Sequence, residues 1–109
     1  MASIKNLVID QGTTFSDFVI YKDKSKNAIN ISGLTPRASI RRSYYSANAV
    51  TFTSVINSNS GGNINISLTA SQTANLKSGR YVYDVELYYS NVVYRIQEGI
   101  ITVFPEVTK

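Results

Sequence analysis

Apolar residues recur with a period of two along nearly the whole chain, and clusters of Gly, Asn, Asp and Ser separate the alternating stretches. That pattern predicts short, half-buried strands joined by turns, and therefore an all-β domain. Leu7, Val8 and Ile9 open a first strand that Asp10, Gln11 and Gly12 break. Between Phe15 and Tyr21, Phe18 and Ile20 alternate with Ser16, Asp17 and Val19, and Asp23 to Asn27 forms a polar turn. Ile29 and Ile31 alternate about Asn30. Pro36 suits a strand start because it donates no ladder hydrogen bond, and the strand after it turns Ala38 and Ile40 to the core and Arg37, Ser39 and Arg41 to water. Val50 to Ile56 reads as one strand with either face able to turn inward, and Asn57 to Gly62 as a hairpin loop. The cleanest alternation sets Ile64, Ile66 and Leu68 against Asn63, Asn65 and Ser67.

One segment breaks the period. Thr69 to Ser78 holds capping residues and a short helical spacing, which predicts a helical turn near residues 70–77, ending at Gly79, with Leu76 plugging the core beneath it. The stretch Leu76-Lys77-Ser78-Gly79-Arg80-Tyr81 at the mouth of a long strand has the form of a tyrosine corner. Tyr81 is then the corner, and Tyr83 takes the inter-sheet position where an antibody domain has its cysteine. A two-residue turn at Ser90-Asn91 pairs Tyr89 with Val92, Leu87 with Tyr94, Val85 with Ile96 and Tyr83 with Glu98. The opposite face pairs Tyr88 with Val93, Glu86 with Arg95 and Asp84 with Gln97, and the Glu86–Arg95 pair contributes roughly 0.2 to 1 kcal/mol. Glu98 falls on the apolar face in this register. A β-bulge at Gly99 corrects it and returns Ile101 and Val103 to the core.

Length and composition narrow the classes. The 109 residues fit a single domain spanning 1–109 with a core large enough to dispense with disulfides or metal. The expected architecture is an immunoglobulin-like β-sandwich of about 7 to 9 short antiparallel strands. Cys and His are both absent, which removes thiol nucleophiles, His-based triads and the N/S ligand sets of zinc and copper. No cofactor is implied. The start of the chain has no signal-peptide pattern, and no apolar run is long enough to span a membrane. The net charge of +4 is spread thinly, with Arg41-Arg42 the one adjacent basic pair, so a solvated surface fits better than a nucleic-acid face. Asp84 and Glu86 lie two apart on a face predicted to be solvated and opposite Arg95, a poor setting for paired-carboxylate catalysis.

Aromatic residues point to contacts instead. The chain has eight Tyr and four Phe but no Trp. Tyr44-Tyr45 and Tyr88-Tyr89 are adjacent pairs near strand ends, so one member of each pair reaches the surface. Beside Arg41, Arg42 and Asn91 they have the composition of a protein interface, or of a surface that stacks on sugar rings.

The blocks Lys5 to Phe15, Ile31 to Thr35, Ala38 to Arg41, Ile64 to Thr73, Gly79 to Glu86, Glu98-Gly99 and Pro105 to Thr108 together resemble small virion proteins of tailed phages and prophages. Their order and spacing are similar to the immunoglobulin-like N-terminal module of phage upper-baseplate proteins. The resemblance implies a non-enzymatic structural module located in the virion. It implies a place in the tail, baseplate or fibre-attachment region and many symmetric copies bound to other virion proteins. A capsid decoration protein and a host-surface glycan-binding module are the alternatives.

Overall fold

A computed structural model of the chain describes residues 3–106 apart from Lys24, Lys26, residues 44–48 and Asn59. Its order is β1 (Ser3–Ile4), β2 (Leu7–Asp10), β3 (Phe15–Ile20), β4 (Thr35–Arg41), β5 (Ala49–Thr51), β6 (Thr53–Ser58), β7 (Asn63–Leu68), α1 (Ala70–Ala74), β8 (Gly79–Tyr89) and β9 (Val92–Phe104). Two sheets pack as a sandwich. The larger runs β1-β9-β8-β4-β5 with β2 also on β9, and the smaller runs β3-β7-β6. The neighbours β9-β8-β4 and β3-β7-β6 follow the G-F-C and B-E-D orders of an immunoglobulin sandwich.

The core lies between the sheets. Ile9, Ile31, Ile64, Ile66, Val85, Leu87 and Ile101 are all buried, and Phe15 stacks obliquely on Phe52 with centroids 5.9 Å apart. Ala38 and Ile40 point inward as expected. The expectation that every strand is antiparallel needs one correction. β1 and β2 run parallel to β9, pairing Ile4 with Glu98 and Ile9 with Val103.

Three further readings change. Val19 is buried while Phe18 and Ile20 are exposed, because β7 aligns Val19 with inward Ile64 and Phe18 with outward Asn65. The stretch around Ile29 and Ile31 forms no strand, although Ile31 is fully buried. The run from Val50 divides at Phe52, where the chain leaves β4 in the large sheet and joins β7 in the small one.

The segment between the sheets holds the expected helical turn, but α1 stops at Ala74 and does not run on to residue 77. Thr69 Oγ1 accepts from the Gln72 amide at 3.2 Å, and Gln72 Oε1 accepts from the Thr69 amide at 2.9 Å, which completes a capping box. Leu76 is buried behind α1. The Tyr81 hydroxyl donates to the Lys77 carbonyl at 2.7 Å, closing the tyrosine corner. Gly79, at the head of β8, has φ 129°, a value that L side chains rarely adopt.

Candidate functional site

The β8–β9 hairpin organises the outer surface. Tyr89 pairs with Val92, Tyr88 with Val93, Leu87 with Tyr94 and Glu86 with Arg95, as the two-residue turn requires. Ser90 carries φ 53°, the positive value that a primed hairpin turn needs. The register then shifts, so that Val85 pairs with Gln97, Asp84 with Glu98 and Tyr83 with Gly99. The bulge therefore lies at Ile96 and not at Gly99. It buries Ile96 and Gln97 together, turns Glu98 outward, and leaves Ile101 and Val103 in the core. Gly99 has a different task. A Cβ there would run into the Lys5 carbonyl, where the N-terminal strands cross onto β9.

Gln97 faces Tyr83 in the interior. Its Nε2 donates to the Tyr83 hydroxyl at 2.9 Å, and that hydroxyl donates to the Lys5 carbonyl at 2.6 Å. Burial pushes the Tyr83 hydroxyl from 10.0 up to about 12, against the opposing effect of the Gln97 bond. Lys5 Nζ in turn pairs with Asp17 at 3.2 Å. One polar chain thus fastens the start of the protein to both sheets.

Arginines and acids cover the outer face of β4, β8 and β9. Arg37 meets Glu86 at 2.8 Å, while Arg95 meets Asp84 at 3.4 Å and Glu86 at 3.8 Å. The expected Glu86–Arg95 contact is present, but the nearer partners are Arg37 for Glu86 and Asp84 for Arg95. An open groove of about 380 Å³ runs between Ser39, Arg41, Val82, Asp84, Arg95 and Glu98. Partial burial raises the Asp84 carboxyl above its ordinary 3.8, nearby Glu86 adds to the rise, and Arg95 and Arg41 oppose it. With each acid of the Asp84–Glu86 pair held by arginine, this face is an ion-pair lattice. Its geometry does not set an acid and a base against a shared substrate position.

The expected contact residues fall into separate places. Tyr89 and Asn91 are exposed at the hairpin end, and Tyr88 is half-buried beneath the Arg37 guanidinium, 4.8 Å from its ring centre. Arg41 lies on the outer face, opposite Val82. Arg42 folds over the Tyr81 ring at 4.8 Å and reaches the Ser78 carbonyl at 3.4 Å, so it braces the corner. Tyr44 and Tyr45 lie outside the described residues. Because Arg41 pairs with Val82 and Thr35 with Tyr88, the arginine end and the hairpin end are about 20 Å apart along β8, and they form no common surface.

The alternation did not single out the apolar surface at the hairpin end. Tyr89 is 63% exposed, and Val92, Val93 and Tyr94 are each more than 40% exposed. Tyr94 leans on Tyr21 with ring centres 6.4 Å apart. A second cluster, Ile4, Val8, Ile100 and Phe104, is exposed along β9 and the strands beside it. The sequence signal for both is the uninterrupted apolar pairs Val92-Val93 and Ile100-Ile101, since neighbours on a regular strand face opposite sides.

No family model matches the sequence, and no curated protein matches it. Solved structures do match. The crystal structure of InlP from Listeria monocytogenes aligns over 94% of this chain and 26% of its own, with TM-score 0.52 and 15% identity. A family 123 glycoside hydrolase from Clostridium perfringens, studied for glycolipid glycan hydrolysis, aligns over 98% of this chain and 24% of its own, with TM-score 0.45 and 16% identity. The chain spans about a quarter of the length of these solved chains. The likeness to InlP concerns the fold alone, and the likeness to the hydrolase carries no argument.

Proposed function

We propose that this chain is a non-enzymatic structural module of a tailed phage particle. In this reading it sits in the tail, baseplate or fibre-attachment region and works through contacts with other virion proteins in repeated copies. The observation that supports a contact role is the hairpin end, where Tyr89, Val92, Val93 and Tyr94 present exposed apolar surface on a tight turn. Aromatic residues on a rigid support lose little conformational freedom on binding, which suits them to protein interfaces. Weak contacts of this size suffice where many copies are held together, because each bond raises the effective concentration for the next. The assignment to a phage particle rests on the sequence resemblance.

Mass spectrometry of purified particles separated into heads and tails tests the assignment. The chain is expected in the tail fraction, and Tyr89→Ala combined with Val92→Ser is expected to reduce its incorporation without unfolding it. Recovery with heads would make it a capsid decoration protein. Saturable binding of the isolated chain to cell-wall polysaccharide, with no incorporation in particles, would overturn the structural role.

A further inference from the structure

The free edge of a sheet is a template for another strand, and proteins protect such edges with charge, shortness, proline or inward-pointing ionised groups. Three of the edges here carry such a device. β5 has three residues. The outer edge beside β9 is split into β1 and β2, of two and four residues. β3 turns Asp17 toward the inner side, where it pairs with Lys5. β6 has six residues, Thr53–Ser58, with neither charge nor proline, and among the described residues only β7 pairs with it. Its own bulge, between Ile56 and Ser58, lies at the far end and leaves Thr53 to Ile56 regular against Ser67 to Ile64.

The surroundings of this edge are equally uncharged. From Ser43 to Leu76 the chain contains no Lys, Arg, Asp or Glu. Phe18, Asn65 and Val55 form one row across the small sheet, with Phe18 56% and Val55 51% exposed. Two copies that each carry +4 repel one another over most of their surfaces, but they meet here without bringing like charges together.

We propose that a second copy of this chain pairs antiparallel along β6 about a twofold axis at Val55, joining two three-stranded sheets into one of six. Opposed residues in an antiparallel pair share a face, so only registers that match inward with inward positions are allowed. Centring on Val55 opposes Val55 to Val55 and Ser54 to Ile56 of the second copy. That register meets the bulged Asn57 only at its ends, opposite Thr53, whereas centring on Ile56 would place Asn57 beside the axis, opposite Val55. The contact is isologous and closes as a dimer. The inference concerns the isolated chain and does not depend on the virion reading.

The chain has no cysteine, so one introduced thiol reports the geometry without background. Under mild oxidation Val55→Cys is expected to form a covalent dimer at least about tenfold faster than Phe104→Cys, because pairing raises the local thiol concentration. Phe104 is similarly exposed but lies on the other sheet. By sedimentation velocity the parent chain is expected to dimerise with rising concentration, and Val55→Lys to stay monomeric with an unchanged circular dichroism spectrum. Equal cross-linking rates would overturn the proposal. So would a parent chain monomeric up to roughly 1 mM, or a dimer that survives Val55→Lys.

Discussion

The two outer faces of the sandwich rest on one core and differ almost completely in chemistry. Over β4, β8 and β9, Arg37, Asp84, Glu86 and Arg95 are joined by ion pairs of 2.8 to 3.8 Å. Over β3, β7 and β6 the outward residues are Ser16, Phe18, Ile20, Asn63, Asn65, Ser67, Thr53 and Val55, none of them charged. The inner residues alone specify the sandwich, so each outer face is free to specialise. The first face pairs Arg37, Asp84, Glu86 and Arg95 with one another, and its exposed apolar residues Ile4, Val8, Ile100 and Phe104 lie beside that lattice. The second carries no charge and has, at β6, a strand edge that no described residue pairs, which suits it to pairing with a second copy.

The largest effects are expected where the two faces share support. Ile66 lies under the uncharged face and Leu87 under the charged one, both fully buried. Replacing either with Ala is expected to cost about 2 to 5 kcal/mol in urea denaturation. Unfolding transitions that coincide by different probes in both variants would show one cooperative core. A large loss at one site with little at the other would split the sandwich into independent halves.

Tyr83→Phe comes next, at about 1 to 3 kcal/mol, because it deprives Gln97 of an acceptor and the Lys5 carbonyl of a donor. It also predicts a change with pH. The Tyr83 hydroxyl ionises near 10 when unfolded and near 12 when folded. Between these values the unfolded chain loses a proton that the folded chain keeps, so stability falls as pH rises from 10 to about 12. Tyr83→Phe should remove that component of the fall, measured by denaturation at each pH.

A smaller effect distinguishes the charged face. The Asp84 carboxyl is raised in the folded protein by burial and by Glu86, so the native state binds more protons once the pH passes the unfolded value. Asp84 therefore subtracts stability as pH rises above about 3.8. Asp84→Asn should gain on the parent as the pH rises above about 3.8 in the same assay. On the other face, Phe18→Ser is expected to change stability by no more than about 0.5 kcal/mol, since the ring is 56% exposed on the outer side of β3. A loss several times larger would mean that the uncharged face is structural in the single chain.

What was legible in the sequence is what depends on near neighbours. The alternation of Asn63 to Leu68, the capping residues at the head of α1, the Tyr81 corner and the pairing of Glu86–Tyr89 with Val92–Arg95 are each set by a few adjacent residues. What was not legible depends on a distant strand. Phe18 looks like a core residue until β7 aligns Val19 with Ile64, and Phe52 divides a continuous pattern because its two sides find different sheets. An awkward Glu98 predicts the bulge. Its position at Ile96 follows from burying Gln97 on Tyr83, a contact that alternation does not contain. The candidate contacts show the same division. Tyr89 and Asn91 reach the surface as their turn dictates, whereas Arg42 bends back over Tyr81.

The contrast between the faces is tested most directly by amide hydrogen exchange of the parent chain at rising protein concentration. Protection at Thr53 to Ile56 is expected to increase with concentration, while the amides of β5 and the charged face stay unchanged. Protection along β6 that ignores concentration, or that rises instead across β4, β8 and β9, would contradict the assignment of self-association to the uncharged sheet.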